Sequence, residues 1–212
     1  MTKREWLEER RKGIGGSDAS AIVGLNPYKT NIQLWEEKTG RKTAEDISDK
    51  EYVKYGTKAE KYLRDLFKLD YPQFKVKHKE NTMIWNKEYP FLFASLDGEL
   101  IDKETGALGI LEIKTTNILQ SMQKEKWKDK IPDNYYIQIL HYLLVTGYSF
   151  VVLKAQLKYQ YKDEEIRLST KHYFILRKDV EDDIQYLKEK EVEFWKSYVE
   201  KNIEPPLLLP NI

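Results

Sequence analysis

Cysteine is absent from the 212 residues, which removes disulfides, thiolate nucleophiles and cysteine-built zinc sites and suits a reducing compartment. A surplus of either charge is missing too. With 36 Lys and Arg against 35 Asp and Glu, no global field draws the chain to a polyanion, so any nucleic-acid site must be local. No stretch approaches the ~18 apolar residues of a membrane span, and the charged opening Met1 to Lys12 lacks signal-peptide character. The expectation is a soluble cytoplasmic protein without membrane contact. Also missing are the G-x-x-x-x-G-K-[ST] phosphate loop, the G-x-S-x-G elbow and H-E-x-x-H, while His78, His141 and His172 are too scattered for a local metal motif.

What is present is apolar anchorage: 15 Tyr, 7 Phe and 5 Trp, enough to fold one core and to make 1–212 a single domain. A charged helix over Thr2 to Arg11 stops at Gly13-Ile14-Gly15-Gly16, and Ser17-Asp18 caps the next, Ala19 to Val23. A third helix spans Asn31 to Lys38. Asp49 to Leu69 places Tyr55, Ala59, Tyr62, Leu63, Leu66 and Phe67 at helical spacing, a long amphipathic helix with Glu60 beside its stripe. Residues 74 to 79 alternate like a half-buried strand. Phe91 to Leu96, Gly98 to Ile101 and, after the Lys103 to Gly106 turn, Leu108 to Lys114 read as successive strands that form a hairpin. Ile118 to Lys128 and the nearly all-apolar Asn134 to Val145 read as helices, Phe150 to Tyr159 and Ile166 to Ile175 as strands, and Asp179 to Val199 as a last helix before a tail with Pro205, Pro206 and Pro210. This order predicts an α/β fold with a mixed sheet flanked by helices.

Ser95-Leu96-Asp97-Gly98 is followed fifteen positions after Asp97 by Glu112-Ile113-Lys114. Strand residues two apart share a face, so Glu112 and Lys114 project together while Ile113 enters the opposite layer, and Asp97 reaches the same place from the preceding bend. Two converging carboxylates suit a hard cation such as Mg²⁺, and an ammonium beside them can orient or help deprotonate water. Alone, D-G and E-x-K equally describe a turn and a cross-face ion pair. Phe91-Leu92-Phe93-Ala94 and Leu108-Gly109-Ile110-Leu111 make both strands look buried, and buried charges require partners or a metal.

On these residues and three further motifs the chain resembles the PD-(D/E)xK nucleases, within them the phage lambda-exonuclease/YqaJ recombinase family. Arg10-Arg11-Lys12-Gly13-Ile14-Gly15-Gly16-Ser17-Asp18 is similar to the opening motif whose Arg and Ser hold a DNA 5′-phosphate. Arg10 and Arg11 both fit, with Arg11 preferred. Gly56-Thr57-Lys58-Ala59-Glu60 resembles the helical G-x-x-x-E whose Glu joins the active site, and Gln138-Ile139-Leu140-His141-Tyr142 the Q-x-x-x-Y element near phosphate.

The resemblance implies a restriction-endonuclease-like core and a Mg²⁺-dependent 5′-to-3′ exonuclease on linear duplex DNA, with Mn²⁺ able to substitute. It implies catalytic roles for Glu60, Asp97, Glu112, Lys114 and Gln138, with metal ligation by Asp97, Glu112 and the Ile113 carbonyl. Phosphate contacts would come from Arg11, Ser17, Ser95, Gln138 and Tyr142. It further implies a ring-shaped homotrimer and a single-strand annealing partner in phage recombination in a bacterial host. A structure- or site-specific endonuclease on the same core, or a non-catalytic DNA-end-binding module, are the competing readings. The Lys124 to Lys130 stretch around Trp127 reads as a solvated helix face or a DNA-backbone contact.

Overall fold

Strand pairing organises the molecule around Glu112. In the computed structural model, which describes residues 1–119, 121–160 and 165–209, a five-stranded sheet contains β1 (Phe74–Lys77), β4 (Gly98–Asp102), β5 (Leu108–Ile118), β6 (Phe150–Gln160) and β7 (Ile166–Leu176), in the order β1-β4-β5-β6-β7. Pairings are antiparallel except β5 with β6, which run parallel with Glu112 opposite Leu153. The sheet is therefore mixed, as the element order predicts. Parallel neighbours need a crossover, and α6 (Asp133–Thr146) lies between them in the chain, with every residue from Ile137 to Val145 buried.

The pleat of β5 sorts its side chains into two layers. Ile110 packs with α6, α2 (Gly16–Ile22), α3 (Asn31–Lys38) and α7 (Glu181–Glu193) in the larger core, whereas Leu111 and Ile113 meet Leu63 and Phe67 of α4 (Glu51–Asp70) on the opposite face. Only one residue in α4 lacks a side chain where the helix passes β5: a Cβ on Gly56 would sit 3.0 Å from Thr115 Oγ1, so this position sets the approach that delivers Glu60 one turn later. At the N-terminus, Thr2 and Glu5 close a capping box on α1 (Lys3–Glu9), and a 3₁₀ turn, Arg10–Lys12, follows.

Several expectations are corrected. Phe91 to Leu96 is strand only at β3 (Phe93–Ala94), paired with β2 (Ile84–Trp85) in a separate ribbon. The run is apolar because Phe91 stacks on Trp195 and Leu92 enters the core, not because it joins the main sheet. The helix expected from Ile118 is shorter, α5 (Ser121–Glu125), since β5 continues to Ile118 along β6; Gln120 and Pro210 lie outside the described residues. The α4 stripe is narrower than read. Leu63 and Phe67 face the sheet, while Tyr62 and Leu66, about 100° round the helix, are 67% and 50% exposed. Among the described residues no helix is long and apolar enough to cross a membrane.

Candidate functional site

The glycine-rich segment reaches the sheet by backbone bonding. Ile14 N–H donates to the Phe91 carbonyl at 2.7 Å and Phe93 N–H to the Ile14 carbonyl at 3.0 Å, which lays residues 13–15 beside the run leading to Asp97. Asp18, rather than Ser17, caps α2, accepting from Gly15 N–H at 3.2 Å. Ser17 is thereby released to accept from Arg10 Nη2 at 2.9 Å. Behind this loop the nearly buried Lys38 donates to Asp18 at 2.7 Å and to the Arg10 carbonyl at 3.1 Å. Burial would raise the Asp18 carboxyl, but Lys38 and Arg10 outweigh it and hold the pKa below the ordinary value.

Asp97, just before β4, is fixed at both ends: its Oδ2 accepts from Ile113 N–H at 2.8 Å and its carbonyl from Arg64 Nη1 at 2.5 Å. The same Arg64 atom holds Glu60 Oε1 at 2.7 Å. On β5, Glu112 Oε1 takes Lys114 Nζ at 2.6 Å and Gln138 Nε2 at 2.9 Å, and Gln138 also donates to Tyr142 OH at 2.7 Å. Among the described residues, Glu112 Oε2 is buried with no hydrogen-bond partner. Glu60, Asp97, Glu112, Lys114, Gln138 and Tyr142 line one open cavity of about 440 Å³, together with Arg10 and Ser17.

The electrostatics are those of a site short of positive charge. Burial, then the charges of Glu112 and Glu60, push the Asp97 carboxyl well above its ordinary pKa; burial raises Glu112 against the pull of Lys114. Burial would lower the Lys114 ammonium, but Glu112 and Asp97 outweigh it and push its pKa up to about 12. Burial also lifts the Tyr142 hydroxyl far above its usual value, so it stays protonated. Two buried carboxyl groups that repel one another, one with an unpartnered oxygen, need something positive between them: a proton or a cation.

A divalent cation fits this donor set. Among the described residues no three His, Asp or Glu side chains form a ready-made cage, since Glu60 is turned to Arg64. Two carboxylates remain, and the backbone adds a third oxygen: N–H and C=O of one strand residue leave on the same side, so the Ile113 carbonyl faces the side on which its N–H meets Asp97. All are hard oxygen donors of the kind Mg²⁺ takes.

The sequence-derived phosphate contacts divide. Arg10 lines the cavity and donates to Ser17, whereas Arg11 is exposed and lies outside it, so the arginine favoured from the sequence is not the one the fold brings to the cavity. Ser95 lines the cavity, but its hydroxyl donates to the Thr82 carbonyl at 2.8 Å and accepts from Trp6 Nε1 at 3.0 Å, leaving no proton for phosphate. Arg64 was missed; its signal was the i,i+4 spacing from Glu60. Trp127 is a core residue against Tyr135 and Tyr173, not a surface contact. His141 is buried, and His78 and His172 lie outside the cavity.

Gly16 makes the site's tightest packing contact. A Cβ there would lie 2.5 Å from the Tyr142 ring and 2.9 Å from Gln138 Cγ. Gly16→Ala is therefore expected to displace Gln138 from Glu112, costing about 1–3 kcal/mol of stability and lowering turnover. Equal thermal midpoints for variant and wild type would contradict this packing.

The YqaJ-like viral recombinase domain matches residues 5–149. The chain belongs to the YqaJ-like viral recombinase family. It is 35% identical over 207 residues to the uncharacterized protein YqaJ of Bacillus subtilis (strain 168), an alignment covering 94% of this chain and 57% of that longer protein. Among solved structures, an alkaline exonuclease (LHK-Exo) from Laribacter hongkongensis superposes with a TM-score of 0.59 at 16% identity, over 94% of this chain and 97% of that one. A phage-related exonuclease from Haemophilus somnus 129PT gives 0.56 at 13% identity, over 90% and 96%. At these identities the two structures establish a shared fold. The YqaJ-like match runs from within α1 to just beyond α6, and so takes in every site segment described above.

Proposed function

We propose that this YqaJ-like domain is a Mg²⁺-dependent deoxyribonuclease that degrades linear duplex DNA from its 5′ ends and leaves 3′ single strands. One observation carries the reading: the unpartnered, buried Glu112 Oε2 beside the Asp97 carboxyl, in the cavity that also holds Lys114 and the Arg10–Ser17 pair. The fold shared with two exonucleases and the family membership support the same chemistry. A structure of LHK-Exo in complex with dAMP shows that relative with a nucleotide.

Asp97, Glu112 and the Ile113 carbonyl would hold the cation, which when bound supplies a Lewis acid for phosphoryl oxygen and an acidified water. Lys114 would donate a hydrogen bond to the attacking water or to the charge developing on phosphate. Gln138 fixes the Glu112 carboxylate and Arg64 fixes Glu60 and the Asp97 backbone, so the acids are set before substrate arrives. Arg10 and Ser17 offer a guanidinium and a hydroxyl to a terminal phosphate. Mn²⁺ would serve the same oxygen ligands. The family resemblance extends the proposal to a homotrimer acting with a single-strand annealing protein in phage-type recombination.

The test is digestion of 5′-phosphorylated linear duplex and of intact circular duplex with Mg²⁺, wild type beside Lys114→Ala. The expected result is loss of linear substrate only, slowed by roughly 10²–10³-fold in the variant. Cutting of intact circles would show an endonuclease, and no cutting of either a DNA-end-binding module.

A further inference from the structure

One ring in the cavity has no part in the chemistry above. Trp6 lies half-buried on α1, a helix with no buried residue, and lines the site between Arg10 and Ser95. Its Nε1–H donates to Ser95 Oγ at 3.0 Å, and Ser95 in turn donates to the Thr82 carbonyl at 2.8 Å, so the ring plane is fixed by a chain anchored outside α1. Arg10 is four residues on, on the same helical face, and its guanidinium carbon sits 4.7 Å from the indole centroid, within cation–π range. The other side of the guanidinium reaches Ser17 Oγ at 2.9 Å. Arg10 is thus held in one orientation by a ring and a hydroxyl rather than by a carboxylate, which leaves its charge available to an anion in the cavity.

We propose that Trp6 is a positioning residue that gives the reaction its preference for phosphorylated ends, by presenting the Arg10 guanidinium toward a terminal phosphate. The proposal rests on the end-binding nuclease reading. An indole is suited to the role because it supplies both a π face for the cation and an N–H to lock its own tilt. Anchoring α1 would account for the Ser95 bond but not for the Arg10 guanidinium held above the ring. Arg10 pays the usual entropic cost of ordering a long side chain, and the stack meets that cost before DNA binds.

The experiment compares initial rates on linear duplexes with 5′-phosphate and 5′-hydroxyl ends for wild type, Trp6→Ala, Trp6→Phe, Arg10→Ala and the Trp6→Ala/Arg10→Ala double variant, with thermal midpoints as a folding control. Trp6→Ala is expected to raise KM for phosphorylated ends about tenfold, with a smaller change in kcat, and to shrink the phosphate preference toward that of Arg10→Ala. Trp6→Phe, which keeps a ring but not the N–H, should retain part of the preference. The double variant should be no worse than Arg10→Ala alone, because a residue acting through Arg10 has nothing left to act on. Additive losses, or a wild-type preference in both Trp6 variants, would overturn the role of Trp6 and leave the nuclease reading standing. An unchanged preference in Arg10→Ala would overturn the terminal-phosphate site and the proposal with it.

Discussion

Asp97→Asn is expected to cost about a thousandfold or more in hydrolysis of linear duplex, yet to leave the metal-free protein more stable than wild type. The loss follows from removing one of two carboxylates available to a cation. The gain follows from the same crowding: Asn keeps an oxygen for Ile113 N–H, relieves the repulsion with Glu112 and Glu60, and brings an amide donor to the Glu112 carboxylate. Relief of this kind is worth about 1–3 kcal/mol. The pH dependence has a definite sign. Asp97 titrates higher in the folded than in the unfolded chain, so its contribution to metal-free stability is present below the ordinary Asp pKa and is lost as pH rises through the raised value. Mg²⁺ competes with that proton, and its stabilising increment should grow with pH in wild type and be absent in the variant. Thermal midpoints in chelator and in Mg²⁺ across a pH series measure both. A variant less stable than wild type in chelator, or equally stabilised by Mg²⁺, would sink this account.

A second large effect is expected away from the cavity, at the fully buried pair of His141 on α6 and Glu191 on α7. His141 Nδ1 lies 2.7 Å from Glu191 Oε1 and Nε2 lies 2.8 Å from the Phe93 carbonyl; an acceptor on each side favours the doubly protonated ring. Burial would lower the His141 pKa, but Glu191 outweighs it and the value is raised. The pair's stabilisation is therefore complete below the unfolded-state value near 6.5 and fades as pH rises through the raised one. Glu191→Ala strands the imidazolium and should cost about 3–5 kcal/mol, a fall of roughly 10 °C in thermal midpoint for a chain of this size. Glu191→Gln can donate to Nδ1 of a neutral ring, so its midpoint should be much less sensitive across the same pH interval. Parallel pH profiles for Glu191→Gln and wild type would show that His141 is not charged.

The sequence made the core of the site legible because the period of a strand is short and local. Glu112 and Lys114 fall on one face and Ile113 on the other whatever β5 pairs with. What depends on distant partners was not legible. The length of β5 is set by β6, across a crossover, and the apolar run 91–96 owes its burial to Trp195 and the core rather than to the sheet. Likewise the sequence reading prefers Arg11, whereas the path of the 3₁₀ turn sends Arg10 toward Ser17. Ser95 looked like a free hydroxyl because its bond to Thr82 spans a loop with no sequence signal.

The parallel pairing of β5 with β6 has a consequence for how the protein comes to exist in a cell. Glu112 lies on β5, while Gln138, which holds it, lies on α6, within the crossover that ends in β6. Parallel strands joined by a long crossover are slow to pair, because loop-closure entropy precedes any reward from the contact. The site draws on five separated segments, from Arg10 near one end to Tyr142 well past the middle. A chain still being synthesised, or released half-folded, therefore carries the acids without their geometry. On the nuclease reading proposed above, activity toward DNA would arrive only with the completed sheet.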